Sequence, residues 1–341
     1  MIPIPAALAA RYSRSSDGRA WLASLPDLVQ DRLDQWRLEP DLAPASLPWH
    51  GHGGIVVPVR QDDGSPAALK VAFPHDEARL ERHALSLWGG RGAVALLRAD
   101  GEACAMLLER LEAGRSAAVL PMHEAVQVWG GLVRQLRVAP DGKPEWREFD
   151  HIAARAEQWS DDFPADWEQL GRPFPRWLLE AALEVCQTRG AVGRRSALDV
   201  LVHTDLHFLN ILARPAVLED AAAAGGGTFA GSGYAAIDPQ PMIGEPEFAV
   251  APLLWNRLRD LPADDPGAGL LRRCRAFSNA AGLDPEVSRQ WAIAREVANA
   301  LWYAGHGQQG DLVRSLWVAS TLAGQTLAGL PHPHALPEPG E

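Results

Sequence analysis

Leu201-Val-His-Thr-Asp-Leu-His-Phe-Leu-Asn-Ile-Leu-Ala213 is the stretch from which the rest of this chain is read. Two short apolar runs flank a polar loop that holds His203, Asp205, His207 and Asn210. Further on, Tyr234-Ala-Ala-Ile-Asp-Pro239 reads as an apolar strand ending in a second carboxylate, Asp238. An Asp, an Asn five residues later and a second Asp after a hairpin form the set that phosphoryl transfer from a nucleotide requires. One carboxylate, Asp205, orients and deprotonates an alcohol. The amide of Asn210 and the carboxylate of Asp238 hold magnesium on the phosphates. His203 reads as a structural hydrogen-bonder that fixes the loop backbone, and His207 as a loop or substrate contact.

Upstream of this loop the chain supplies groups suited to phosphates. Residues 17–37 carry Trp21, Leu22, Leu25, Leu28, Leu33 and Trp36 at helical spacing, and Pro40, Pro44 and Pro48 then extend the chain. Trp49-His-Gly-His-Gly-Gly-Ile-Val-Val-Pro-Val59 reads as a glycine-rich turn entering a strand. Gly51, Gly53 and Gly54 let backbone N–H groups approach phosphates, although a plain hairpin turn is the better account of three glycines taken alone. The next strand, Ala67–Ala72, carries Lys70 between apolar neighbours, facing either an anion or solvent. A helix over His75–Trp88 follows, with Glu77 and Glu81 one turn apart. A strand lysine paired with a helix glutamate places the lysine on the α- and β-phosphates. Glu81 is the preferred partner and Glu77 the alternative. Two more strands are expected at Ala93–Leu97 and Ala103–Leu108, and the polar linker Glu109-Arg110-Leu111 after them suits a hinge that meets adenine with backbone groups.

Beyond about residue 115 the pattern turns helical, with expected helices at Met122–Arg137, 147–160, 176–189 and Phe248–Leu261, and more over 266–330. Leu271, Phe277, Trp291, Val297, Leu301, Trp302 and Leu316 are assigned to apolar faces of those last helices. The low-complexity run 221–233 reads as a flexible surface insertion, and 331–341 as a frayed tail.

Bulk properties limit the function classes. The chain has 341 residues and a net charge of −11, which argues against a general nucleic-acid binder and is compatible with a cationic or polyol small molecule. No run reaches membrane-spanning length. Three widely spaced cysteines, Cys104, Cys186 and Cys274, suggest reduced thiols in a cytoplasmic protein.

His203-Thr-Asp-Leu-His-Phe-Leu-Asn210 with Ala236-Ile-Asp-Pro239 resembles the aminoglycoside phosphotransferase family, in particular its streptomycin 6-kinase and hydroxyurea phosphotransferase branch. Leu87-Trp-Gly-Gly-Arg-Gly-Ala-Val94, Leu107-Leu-Glu-Arg-Leu111, Gly244-Glu-Pro-Glu-Phe248 and Leu253-Leu-Trp-Asn256 are similar to that branch as well. The resemblance implies an α+β, bilobal protein-kinase-like fold with a small antiparallel-sheet N-lobe and a mainly helical C-lobe. The expected organisation is a helical extension over 1–40, the nucleotide-binding lobe over 41–111, the catalytic lobe over 112–330 and the tail over 331–341. It implies an ATP- and Mg2+-dependent kinase, GTP being a second possible donor, that phosphorylates a hydroxyl of an aminoglycoside or aminocyclitol such as streptomycin. Carried over, Asp205 is the catalytic base, Asn210 and Asp238 the metal ligands, Lys70 the phosphate lysine with Glu81 orienting it, and Glu109–Leu111 the adenine hinge. Asp161, Asp162, Glu245 and Glu247 are acidic candidates for gripping amino or guanidino groups. Thr204 stands where the family usually has Gly, and Ala249 where many members carry Asp. A metabolite or amino-sugar kinase of the same fold, and a nucleotide-binding module without transfer activity, are the alternatives.

Overall fold

The structure, a computed structural model, describes residues 2–43, 46–51, 53–190, 198–215 and 233–337. Residues 221–232 of the insertion read at 221–233, the last four residues of the tail and the side chain of Glu77 lie outside them. Contacts divide the chain into two compact units, one from residues 1–113 and 213–235, the other from 114–212 and 236–341.

The first unit is built on an antiparallel sheet. Strands β1 (Glu39–Pro40), β2 (Trp49–His50), β3 (Gly54–Arg60), β4 (Pro66–Ala72), β5 (Leu96–Asp100) and β6 (Ala105–Glu109) assemble in the order β1-β3-β4-β6-β5, with β2 also on β3. The register sets Lys70 opposite Val56 on one side and Met106 on the other. Two helices, α1 (Ala6–Tyr12) and α2 (Ser16–Trp36), precede the sheet. The Ser15 hydroxyl accepts from Gly18 N–H at 3.0 Å and starts α2. Leu8, Trp21, Leu25, Val29 and Leu33 from these helices share a buried core with Ile55, Val57, Leu69, Val71 and Leu107 of the sheet. The expected N-terminal extension is thus packed into the sheet unit. Helix α3 (Asp76–Trp88) starts at His75, whose Nδ1 accepts from Ala78 N–H, and stops at Gly89, which takes the left-handed conformation at φ 56°.

Strand boundaries differ from the reading. The strand expected at Ala93–Leu97 runs instead over Leu96–Asp100, because Ala95 N–H and C=O are held by the Glu109 carboxylate and Glu109 N–H. Gly54 has a packing reason: a Cβ there would lie 2.4 Å from Val71 O of the neighbouring strand.

The second unit is mainly helical: α4 (Met122–Leu136), α5 (Ile152–Gln169), α6 (Arg176–Arg189), the short α7 (Ala251–Trp255), α8 (Pro266–Ala281), α9 (Pro285–Gly305) and α10 (Gln309–Leu322). A two-stranded ladder, β8 (Val200–His203) with β11 (Pro241–Gly244), carries the central loop. Strands β9 (Ile211–Ala213) and β10 (Tyr234–Ala236) pair beyond it, and β9 also pairs with β7 (Glu112–Ser116). The helix expected at 147–160 begins later and runs on through Pro164, because the buried side chains Phe163 and Trp167 hold its last turns against the core. Phe248–Leu261 is not one helix. It breaks at Arg257, which adopts φ 53° while Arg273 donates to the carbonyls of Asn256 and Arg257 at 3.0 Å each. Among the described residues, no helix is long and apolar enough to cross a membrane.

Candidate active site

In the sheet unit the decisive contact is a buried ion pair. Lys70 Nζ donates to both carboxylate oxygens of Glu81, at 2.7 and 2.6 Å, with the side chains 9% and 5% exposed. The strand places the ammonium and the second turn of α3 places the carboxylate. Glu109 and Arg110 of the expected hinge have side chains engaged elsewhere: Glu109 with Arg214 at 2.8 Å, Arg110 with Asp41. Arg214 also donates to the carbonyls of Gly90, Ala93 and Tyr234, pinning both ends of the segment 213–235 to the sheet unit. Leu111 is buried.

In the helical unit the loop after β8 is held from several sides. His203 Nε2–H donates to Ile237 O at 3.0 Å while its Nδ1 accepts from Asp205 N–H at 3.2 Å, which defines one neutral tautomer. Burial pushes this imidazole down to about 4, so it stays neutral and structural. Thr204 has a place: its N–H and hydroxyl both donate to Gln240 O, at 3.0 and 2.7 Å. Trp129 of α4 donates to Leu206 O at 3.1 Å. His207 Nδ1 accepts from Leu209 N–H at 3.2 Å, and its Nε2 lies 3.7 Å from the Asp205 carboxylate. Burial also lowers the His207 pKa. Ala249 is buried, so a carboxylate at that position would need partners of its own.

Asn210 Nδ2 donates to Asp205 O at 2.9 Å, which leaves Oδ1 as the atom available to a cation. Asn210 O accepts from Ile237 N–H at 2.9 Å, so the return strand brings Asp238 in beside the loop. Asp238 itself sits at φ 57°, a conformation that few residues other than Gly, Asn and Asp adopt. An amide oxygen and a carboxylate are hard oxygen donors, the kind that bind Mg2+ together with substrate phosphates.

One neighbour of Asp205 escaped the sequence reading. Arg295 of α9 donates to Thr204 O and holds its guanidinium 3.8 Å from the Asp205 carboxylate, over the Phe248 ring at 5.3 Å. It lies 90 residues from Asp205, and no local spacing signals it. The next residue, Glu296, is buried with Oε2 lacking a hydrogen-bond partner, and burial pushes its carboxyl up to about 7. Trp302, assigned to an apolar face, is instead 52% exposed. Helical periodicity alone does not separate it from its buried neighbour Leu301.

The four acidic candidates fall in different settings. Asp161 and Asp162 are exposed on α5. The Glu245 carboxylate accepts from Trp291 Nε1 at 2.7 Å and Arg189 Nη1 at 3.2 Å. Glu247 accepts from Asp284 N–H at 3.2 Å, and burial raises its pKa.

Comparison with known proteins gives the chain a family. Residues 35–307 match the profile of the aminoglycoside/hydroxyurea antibiotic resistance kinases. The chain is 33% identical to streptomycin 6-kinase of Streptomyces griseus over 329 residues, covering 94% of this chain and 97% of that protein. It is 32% identical to hydroxyurea phosphotransferase of Kitasatospora aureofaciens over 333 residues, covering 95% of this chain and 87% of that one. Among solved structures, macrolide 2'-phosphotransferase of Brachybacterium faecium superposes with a TM-score of 0.52 at 17% identity, covering 88% of this chain and 99% of that chain. A thermostable mutant of an aminoglycoside phosphotransferase gives a TM-score of 0.54 at 16% identity, covering 87% and 99%. The fold expected from sequence, α+β and protein-kinase-like, is the one these neighbours share.

Proposed function

Because this chain belongs to the aminoglycoside/hydroxyurea antibiotic resistance kinases, and is therefore a phosphotransferase with a hydroxyl acceptor, we propose that it transfers the γ-phosphoryl group of ATP to an aminocyclitol antibiotic of the streptomycin type. The observation that carries this reading is the loop itself. Asp205 is tied through its own backbone to His203 and Asn210, and the same two residues bond Ile237, which precedes Asp238.

In this reading the acceptor hydroxyl attacks the γ-phosphorus in line with the bond to ADP. The new P–O bond forms as the old one breaks, and Asp205 takes the hydroxyl proton late in the transfer. Lys70, held by Glu81, carries positive charge to the α- and β-phosphates. Asn210 Oδ1 and the Asp238 carboxylate would hold Mg2+, which when bound neutralises charge on the triphosphate. His203 stays neutral and keeps the loop backbone in place. Positioning and charge account for the catalysis, with no covalent enzyme intermediate. An ATP supply and three buried free thiols suit action in the cytoplasm.

The test is Mg2+-dependent ADP release from ATP across streptomycin, other aminoglycosides, hydroxyurea and amino sugars. Stimulation by streptomycin that is abolished in Asp205→Asn is the expected result. Stimulation by an amino sugar alone would replace the antibiotic with a metabolite.

A further inference from the structure

Helix α9 carries a mixed stripe of which the catalytic loop accounts only for the first member, Arg295. Arg295, Asn299, Trp302, Tyr303 and His306 recur at the spacing of one helix face. Glu296, Val297, Ala300 and Leu301 between them are buried, so this stripe is the side of α9 turned away from the core. It forms an aromatic terrace. Trp302 stacks on His306 with ring centroids 4.1 Å apart and planes 21° apart. It meets Tyr303 edge-on at 5.3 Å, and Tyr303 in turn stacks on Trp255 at 6.1 Å.

The terrace is continuous with the candidate base. Its first member, Arg295, lies 3.8 Å from the Asp205 carboxylate. Burial raises the pKa of the Tyr303 phenol, and the nearby carboxylates Glu296, Asp311 and Asp205 raise it further. Trp302 stands two helical turns beyond Arg295 on nearly the same azimuth, about 10 Å along the axis. An indole half exposed on the helix face that also carries Arg295, backed by an imidazole on one side, offers an aromatic face to a ligand. Such faces take the C–H edges of saturated rings and attract cations.

We propose that Asn299, Trp302 and Tyr303 form a distal acceptor subsite, in which Trp302 stacks on a second ring of the acceptor, a sugar or cyclitol ring bearing positive charge. The proposal rests on the reading of Asp205 as the base, since that fixes where the reacting ring sits. The separation of about 10 Å selects acceptors of more than one ring. Streptomycin, with linked rings carrying guanidino and methylamino groups, spans it. Hydroxyurea is far too short to touch Trp302 while its hydroxyl is at Asp205. The carboxylates Glu245 and Glu247 are engaged by internal partners, so in this arrangement stacking on α9, rather than those two side chains, holds the far end of the acceptor.

The experiment measures streptomycin binding by titration calorimetry on the full chain, comparing wild type with Trp302→Ala and Trp302→Phe. Melting curves check that each variant folds. Loss of about tenfold in affinity for Trp302→Ala, largely restored in Trp302→Phe, is the expected result, a size typical of one desolvated aromatic contact. In turnover the Trp302→Ala defect falls on KM for streptomycin, with kcat moving less than about threefold. Equal affinity in all three proteins, or no streptomycin binding by wild type, overturns the subsite. A defect of the same size with hydroxyurea overturns it too. Trp302-dependent binding without any phosphoryl transfer would leave the subsite standing and refute the kinase reading instead.

Discussion

Glu81→Gln isolates what the buried pair does. Lys70 and Glu81 lie at 2.6 to 2.7 Å with almost no solvent contact, so the amide leaves an ammonium buried without its counter-charge. Removing one member of such a pair costs about 3–5 kcal/mol, most of it the cost of the stranded charge. A chain of 341 residues unfolds with an entropy of about 0.7 kcal/mol/K, so the melting midpoint falls by about 4–7 °C. Replacing both members by apolar groups of similar volume, Lys70→Met with Glu81→Leu, removes the stranded charge and restores most of the midpoint. Activity separates the two variants from wild type in another way. The double variant has no cation for the phosphates and is inactive. Glu81→Gln keeps the lysine but lets it wander, and kcat/KM for ATP falls by roughly 100-fold, or about 2.7 kcal/mol. Mg-ATP raises the midpoint of wild type more than that of Glu81→Gln, because stabilisation by a ligand follows its affinity and the variant no longer holds Lys70 for the phosphates. The assays are differential scanning calorimetry with and without Mg-ATP, and steady-state ADP release. A Glu81→Gln midpoint within 1 °C of wild type, with the double variant equally stable, would refute the claim that this pair is a desolvated charge couple.

Asp205→Asn is expected to lower kcat by 10²- to 10⁴-fold while nucleotide affinity, measured by calorimetry, stays within about threefold. Arg295→Ala lowers kcat by about 10- to 100-fold through loss of the cation that holds Thr204 O and faces Asp205, and Arg295→Lys recovers part of it, read as kcat against KM. Glu296 has a folded pKa of about 7 against 4.5 unfolded, so its contribution is fully present below pH 4.5 and is lost as pH rises through 7. Glu296→Gln therefore raises the melting midpoint at pH 8 by the equivalent of about 3 kcal/mol and changes it little at pH 4.5.

The parts legible in the sequence are those whose chemistry is local. Asp205, Asn210 and Asp238 are separated by a short loop and one hairpin, and Lys70 and Glu81 by one strand end and two helical turns. Such spacings survive folding almost unchanged, so residue type and order suffice to predict that they meet. Arg295 could not be found that way, because its meeting with Asp205 is made by the packing of α9 across 90 residues of chain. Arg214 was hidden for the same reason, although a lone arginine ending an apolar strand is a hint that something anionic waits for it. Tertiary packing also moved boundaries: Phe163 and Trp167 carry α5 through a proline that reads as a stop. Trp302 reads as core because it is an aromatic on a helix, and only the buried neighbours on both sides show that it points outward.

The left-handed backbone of Asp238 has a genetic consequence. The position is constrained twice, by its carboxylate and by a main-chain conformation that most side chains resist. Among the replacements one nucleotide change can make in an aspartate codon, Asn and Gly suit that conformation, and both discard the charge. Glu, also one change away, keeps the charge but not the backbone. The easiest mutational exit from this site is therefore a chain that still folds yet has lost the Asp238 carboxylate. A gene drifting without selection would pass readily into a folded, silent kinase, and an alanine at this position would report backbone strain together with ligand loss.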